Sequence, residues 1–315
     1  MAFPRLSTGR LDKQVTSILK IYKNDDFIAD KILPSFVVTA EAGRIPSMGN
    51  SHLRLYDNRR ALWDESSHRM DFTYSNSDAY QIEYYDVDVY MPDRLQKQIE
   101  APFNVRRDAG IVGMQNLMLE REALLAAAFT STSVLTKYVT LTGTDQYADP
   151  SSTPLLDMET GRTSVYSLTG KEVNAIMIGR KVFNTLKDHP DFANKVRSSG
   201  ERLSASGLKS MIADYLEIPV ENIFIGKSIK ITSAEGQTET KSIVWGNDIV
   251  LFRKAVDSAI YEPSVGYSFK LAGDNIRSST RRHATDKGDL QCTEFAYDDV
   301  INDVNAAYLI KDAVA

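Results

Sequence analysis

The sequence predicts an α+β fold, and three observations predict it. One long helical pattern runs from 102 to 129, a block of short buried strands alternates with helices between 175 and 252, and period-two alternation recurs on either side of both. The 315 residues are 43% hydrophobic and 25% charged, the composition of an ordinary soluble globular protein with enough apolar mass for a sizeable core or two lobes. No apolar run approaches the roughly 20 residues of a membrane span, and Met1 to Arg10 lacks the h-region of a secretory signal, so synthesis in the cytoplasm is expected. Cys292 is the sole cysteine, which excludes an intrachain disulfide and a multi-cysteine metal site; it is expected to pack in a strand over 290 to 297. A net charge of −5 argues against tight phosphate-backbone binding as the main task, although a container that holds nucleic acid weakly is compatible with it.

Residues 2 to 23 alternate basic and small apolar residues and read equally as a docked helix or a frayed terminus. The apolar cluster Asp26 to Pro34 follows, then a strand over Ser35 to Thr39. Met48 to Met91 carries two strand-like arms around a polar, turn-rich centre. In the second arm Tyr85, Val87, Val89 and Met91 alternate with Asp86, Asp88 and Tyr90; His52 to Tyr56 does so more weakly in the first. The stretch between, Asp57 to Asp78, is too polar to close a core, and its aromatics Trp63, Phe72 and Tyr74 point to ordering by neighbouring subunits rather than to a disordered linker. Arg54, Arg59, Arg60 and Arg69 stand among Asp57, Asp64, Glu65 and Asp71, and mixed signs suit protein partners better than phosphate.

Ala101 and Pro102 open the long helix, proline suiting a first turn. At 100° per residue Ile111, Met114, Leu117, Met118, Leu124, Leu125, Ala128 and Phe129 share one stripe, with Gln115, Asn116, Glu120 and Glu122 outside it. Arg121 falls inside the stripe and is expected to snorkel or pair. Gly110 and Gly113 each cost about 1 kcal/mol relative to alanine and mark a place for the helix to bend. After a polar linker, Ala175 to Ile178 reads as a buried strand, Arg180 to Lys187 as a helix stopped at Pro190, and Ser204 to Leu216 as a second helix. Strands follow at 222 to 225, 228 to 232, 242 to 245 and 249 to 252, with Ala234 to Thr240 as a hairpin tip, making an α/β or α+β lobe. Alternation around Tyr267 to Leu271, Leu290 to Glu294 and Ala306 to Ile310 predicts a second sheet packed against the long helix.

Catalytic constellations are thin. The four histidines (His52, His68, His189, His283) lie far apart, none in a two-histidine metal spacing, and His189 between Asp188 and Pro190 is expected to cap a helix C-terminus. Gly226-Lys227-Ser228 fails as a phosphate loop because Glu221 stands where a glycine is needed and a strand follows. Gly110 and Gly113 lie within a helix and are no dinucleotide fingerprint. Asp86 with Asp88, and Asp298 with Asp299, are more simply read as strand faces than as acid–base pairs. No catalytic residue, metal or cofactor is assigned.

The order of these parts resembles that of the major capsid proteins of tailed bacteriophages, with the Hong Kong 97-type shell fold. Phe27-Ile-Ala-Asp-Lys-Ile-Leu-Pro34 looks like the way in from an N-terminal arm (1–34), Met48 to Met91 like the extended loop, and Pro102 to Phe129 like the spine helix. Ile176-Met-Ile-Gly-Arg180 with Asp188-His-Pro190 resembles the opening of an axial domain (173–256), and Val244-Trp-Gly-Asn-Asp-Ile-Val-Leu251 its return. Residues 35–47, 92–172 and 257–315 would then form the peripheral domain. The resemblance implies a non-enzymatic subunit that assembles with copies of itself into pentamers and hexamers of an icosahedral head around double-stranded DNA. It implies contacts through the loop (Arg54, Tyr56, Arg59, Arg60, Trp63, Arg69, Phe72, Tyr74) and the arm (Phe27, Ile28, Ile32), with ring-centre loop candidates at Arg197, Glu201 and Arg202. A separate scaffolding protein, a portal, a possible decoration protein and weak non-specific DNA contact are the further partners, and the virion the location. No lysine lies between Lys31 and Lys97, so no loop lysine can crosslink, and a shell without isopeptide bonds is expected. An encapsulin-like compartment or another phage structural subunit is the alternative; a cytosolic α/β enzyme built on 175 to 252 is the remote one.

Overall fold

Asn104 caps the long helix at Val105: its side chain accepts the Arg107 N–H at 3.1 Å, satisfying one of the amides that a helix start leaves without a partner, while Ala101 and Pro102, the start read from sequence, lie outside the described residues. In the computed structural model the described residues are 10–22, 24–45, 47–48, 55, 74–75, 79–99, 104–197, 204–256, 262–273, 275–283, 285 and 287–315. In chain order the elements are β1 (Arg10–Leu11), α1 (Lys13–Ile21), α2 (Ala29–Ile32), β2 (Ser35–Val38), β3 (Ala42–Arg44), β4 (Ser47–Met48), β5 (Tyr74–Ser75), β6 (Ala79–Gln81), β7 (Glu83–Pro92), α3 (Asp93–Gln98) and α4 (Val105–Phe129). They continue as β8 (Tyr138–Thr140), α5 (Pro154–Thr169), β9 (Ala175–Gly179), α6 (Arg180–Asp188), α7 (Pro190–Arg197), α8 (Ala205–Leu216), β10 (Ile223–Gly226), β11 (Ile229–Ile231) and β12 (Lys241–Ile243). The last are β13 (Ile249–Phe252), β14 (Gly266–Leu271), β15 (Ile276–Arg282), β16 (Gly288–Ile301) and β17 (Ala307–Lys311).

The first sheet is built along β16. Tyr297 pairs with both Glu83 and Lys270, so β7 takes one edge of β16 while β14 and β15 run antiparallel along the other. Outside them lie β2, parallel to β14, and β1, antiparallel to β15. The second sheet has the order β10-β9-β13-β17-β8, with parallel outer pairs and antiparallel inner ones. The apolar run of β9, Ala-Ile-Met-Ile-Gly, is buried throughout because both faces of this sheet are covered. Ile176 and Ile178 face α5, α6, α7 and α8, whereas Ala175 and Met177 face the C-terminal half of α4 and the segment from Ile28 to Leu33.

Helix α4 therefore joins the two sheets. Its N-terminal half packs Met114 and Leu117 against Phe295 and Tyr297 of the first sheet, and its C-terminal half packs Leu125, Ala126 and Phe129 against the second. Residues 110, 113, 114, 117 and 121 are buried on the first side and 122, 125, 126 and 129 on the second, so the buried seam steps sideways by one residue at 121 and 122. This corrects the single stripe. Glu122, expected in solvent, is fully buried, while Leu124, expected inside, is 51% exposed.

Three further expectations are corrected. The strand Glu83–Pro92 is no loop arm: all ten residues pair with β16. Ala307–Lys311 joins the second sheet between β13 and β8, and α5 lies on that sheet too, so the second lobe draws on residues placed by sequence in the other domain. Pro190 ends α6 but also starts α7, where its missing N–H costs nothing. The 2–23 segment, where described, is docked: α1 is capped by Asp12, buries Val15 and Leu19 and packs on α4.

Candidate functional site

Ser152, His189 and Asp149 form a hydrogen-bonded cluster. The Asp191 N–H donates to His189 Nδ1 at 3.2 Å, which places the ring proton on Nε2, facing Ser152 Oγ at 3.1 Å and the Asp149 carbonyl at 3.2 Å. Ser152 Oγ itself donates to that carbonyl at 2.8 Å. With Nδ1 accepting from Asp191, the imidazole turns an N–H and no lone pair to Ser152, so the cluster ties a loop to the α6–α7 junction, and His189 stands at the C-cap of α6. Cys292 is buried in β16 as expected, and burial, with Asp88 beside it, pushes its thiol up to about 12. Among the described residues no group of three metal-binding side chains converges.

What the fold builds is a set of projections on two sheets. β3 pairs with β6 and β4 with β5, forming a ribbon that leads to residues 49–73. The ribbon is held at its root: Tyr80 stacks on Phe269 with centroids 4.4 Å apart, the Gln81 N–H donates to Asp298 Oδ2 at 2.8 Å, and the Ile82 N–H donates to the Glu41 carbonyl at 2.8 Å. Gly43 lies under the Tyr80 ring, where a Cβ would meet its hydroxyl oxygen at 2.6 Å, so a side chain at 43 would push the ring aside. Of the loop residues chosen from sequence, Arg54, Tyr56, Arg59, Arg60, Trp63, Arg69 and Phe72 lie outside the described residues, and Tyr74 is placed by its backbone in β5.

The N-terminal candidates divide. Ile28 and Ile32 are buried in this chain's own core with Leu125, Phe129 and Trp245, which corrects their reading as contacts to another subunit; Phe27 is half-buried beside them. Their segment is gripped by two consecutive residues of α4. Glu122 accepts the Ile28 N–H at 3.1 Å and the Ala29 N–H at 2.8 Å, together with Trp245 Nε1–H and Ser228 Oγ–H. Arg121 donates to Asp30 Oδ1 at 2.5 Å, to Asp299 Oδ2 at 2.7 Å and to Ser268 Oγ at 3.1 Å, beneath the rings of Phe295 and Tyr297. Burial raises the Glu122 carboxyl against the pull of its donors. Burial also opposes charge on Arg121 and Asp30, but their attraction, with Asp299 and Lys270, outweighs it and holds Asp30 far below the usual carboxylate range. Sequence missed Glu122; its i, i+3, i+4, i+7 spacing to Leu125, Ala126 and Phe129 was the available signal.

Gly110 and Gly113 are sites of close approach. A Cβ on Gly110 would stand 2.7 Å from Val15 Cγ1, and one on Gly113 3.0 Å from Thr293 Oγ1 and 3.2 Å from Val87 Cγ1. Packing thus supplies a reason for both glycines besides bending, and α4 is continuous through them. Arg197 ends α7, while Glu201 and Arg202 lie outside the described residues. Exposed apolar residues remain on the projections and edges: Val37 on edge strand β2, and Ile229 and Ile231 on the β11–β12 hairpin, at 72%, 50% and 54%.

No protein-family model matches the chain. It is 27% identical over 280 residues to the major capsid protein of Burkholderia phage BcepMu, covering 86% of this chain and 87% of that protein. The crystal structure of a phage-related protein from Bordetella bronchiseptica superposes with a TM-score of 0.75 at 22% identity over 98% of this chain and 99% of the other. The capsid structure of the cyanophage P-SCSP1u gives 0.59 at 11% identity, over 99% and 93%. With its projections on two helix-joined sheets, the chain shares the Hong Kong 97-type fold of phage shells along its length and is similar in sequence to a phage major capsid protein.

Proposed function

We propose that the chain is the major capsid subunit of a tailed phage, associating with copies of itself into pentameric and hexameric rings that close into an icosahedral head around double-stranded DNA. The observation that carries this reading is the likeness to a phage major capsid protein over 86% of the chain, on a fold that matches a phage capsid along its whole length. Its role is structural. The second sheet with α5 to α8 acts as the axial domain, the first sheet as the peripheral domain, α4 as the spine helix, and the β3–β6 ribbon with residues 49–73 as the extended loop.

Several features support these roles. The ribbon is stiffened by pairing and anchored by Tyr80, so it can carry Arg54, Tyr56, Arg59, Arg60, Trp63, Arg69, Phe72 and Tyr74 onto a neighbouring subunit. Arg197, the last residue of α7, and Glu201 and Arg202 in the segment between α7 and α8 are the candidates for a ring-centre contact. An arm formed by residues 1–9 would leave the body at Arg10, where β1 joins the edge of the first sheet, and Phe27 lies half-buried beside the Ile28 segment. Individually weak contacts of this kind become strong together once a closed shell forms. A scaffolding protein, a portal and weak contact with packaged DNA are the further partners of this reading.

Electron microscopy of the expressed chain tests it. Rings or closed shells are expected, with DNA-filled particles only when phage partners are present. A compact monomer at every concentration overturns the reading, and uniform shells loaded with host protein would replace the virion role by a protein compartment.

A further inference from the structure

We propose that Glu122 couples the β11–β12 hairpin to the N-terminal segment, so that displacement of the hairpin loosens residues 28 and 29. The carboxylate is fully buried, yet none of its hydrogen-bond partners carries a charge. Its negative charge is held by neutral donors alone, and these come from two distant parts of the chain. Ile28 and Ala29 offer backbone amides at 3.1 and 2.8 Å from one side. Trp245, just beyond β12, offers its indole N–H from the other, and Ser228, just before β11, its hydroxyl at 3.4 Å. The hairpin base and the N-terminal segment thus stabilise the same ion. A buried ion that loses a donor becomes easier to protonate, and a protonated carboxyl is a weaker acceptor for the donors that remain.

The hairpin is placed to receive a push. Ile229 lies opposite Ile243, and Ile231 opposite Lys241, on one side of the ribbon, while Ser242 turns a buried hydroxyl to the other. Isoleucines left half in solvent on a two-stranded projection form a surface that contact would move, because such a ribbon has little stability of its own. At its base the Val244 N–H donates to the Ser228 carbonyl at 3.0 Å, so motion of the strands passes directly to the two residues that hold Glu122. Arg121 does not share this circuit on the hairpin side: its other arm closes on Asp299 and Ser268 of the first sheet.

Hydrogen exchange on the full-length chain, free or assembled, reads the coupling. Trp245→Phe removes one donor and is expected to speed exchange of the Ile28 and Ala29 amides about tenfold. The same change made in the Glu122→Gln background should speed it less than about twofold, because no ion remains to pass the loss on. Ser228→Ala, which leaves the indole packing intact, should act in the same direction with a smaller effect. Equal acceleration by Trp245→Phe in both backgrounds would assign the effect to core packing and overturn the proposal, as would no acceleration in either. That a neighbouring copy supplies the push rests on the shell reading; the exchange result stands whether or not particles form, so the two can fail separately.

Discussion

Arg121 and Glu122 are consecutive on α4 and bury opposite charges towards different sheets, Arg121 against Asp299 at 2.7 Å and Glu122 against the Ala29 amide at 2.8 Å. Between them they clamp α2, since Arg121 also reaches Asp30. Removing the arginine leaves Asp299 buried without its cation. Arg121→Ala is therefore expected to destabilise the chain by about 3–5 kcal/mol, and Arg121→Lys to recover only part of that, because an ammonium cannot make the two parallel bonds of the guanidinium. Urea midpoints of the three proteins check it; an alanine variant within about 0.5 kcal/mol of the parent would show the cluster to be dispensable.

Gly110 is where α1 meets α4. Alanine there gains about 1 kcal/mol in helix propensity but forces Val15 aside, an overpacking cost of about 1–3 kcal/mol. Gly110→Ala should lower the thermal midpoint in the parent and raise it in a Val15→Ala background, where the space is open. If alanine stabilises both, the glycine is not a packing residue and the bending reading gains ground.

Acid should weaken the clamp through Asp30. Its folded pKa is depressed, so its contribution is fully present above the unfolded carboxyl pKa of about 3.9 and is lost as pH falls below that towards the folded value. Glu122, whose folded pKa is raised, acts with the opposite sign and eases the fold slightly as it protonates. The stability gap between the parent and Asp30→Asn should accordingly be widest near neutral pH and narrow below about pH 4. A gap that stays constant from pH 7 to 3 would show that Asp30 is not held by charge.

Cys292 should be inert in the native chain. A buried thiol with its pKa near 12 offers almost no thiolate at neutral pH, so a disulfide reagent should label it only after denaturation. Rapid labelling without denaturant would mean that β16 opens readily.

Particles, once formed, should run as single subunits on a denaturing gel. The stretch from 32 to 96 holds no lysine, so it cannot supply an amine for an isopeptide bond. A covalent ladder from mature particles would refute this.

The parts that sequence resolved are those whose signal is local. α8, β9, the β11–β12 hairpin and the body of α4 each carry their own period or buried run, and the order of parts carried the resemblance to a shell protein. The role of Glu122 was hidden because a helix wheel assumes one buried side, and α4 has two.

By itself the sequence determined that this chain would mix helices with sheets around a long connecting helix, would depend on no disulfide, and would carry a polar, aromatic stretch with no core of its own. Only the tertiary structure decided that β7 belongs to a sheet, that β17 crosses to the second lobe, and that Arg121 and Glu122 part ways. Alternation reports which residues of a strand share a face; it holds no record of which distant strand will pair with it. Partner choice is set by long-range packing, and burial of a charge by donors that lie about a hundred residues away.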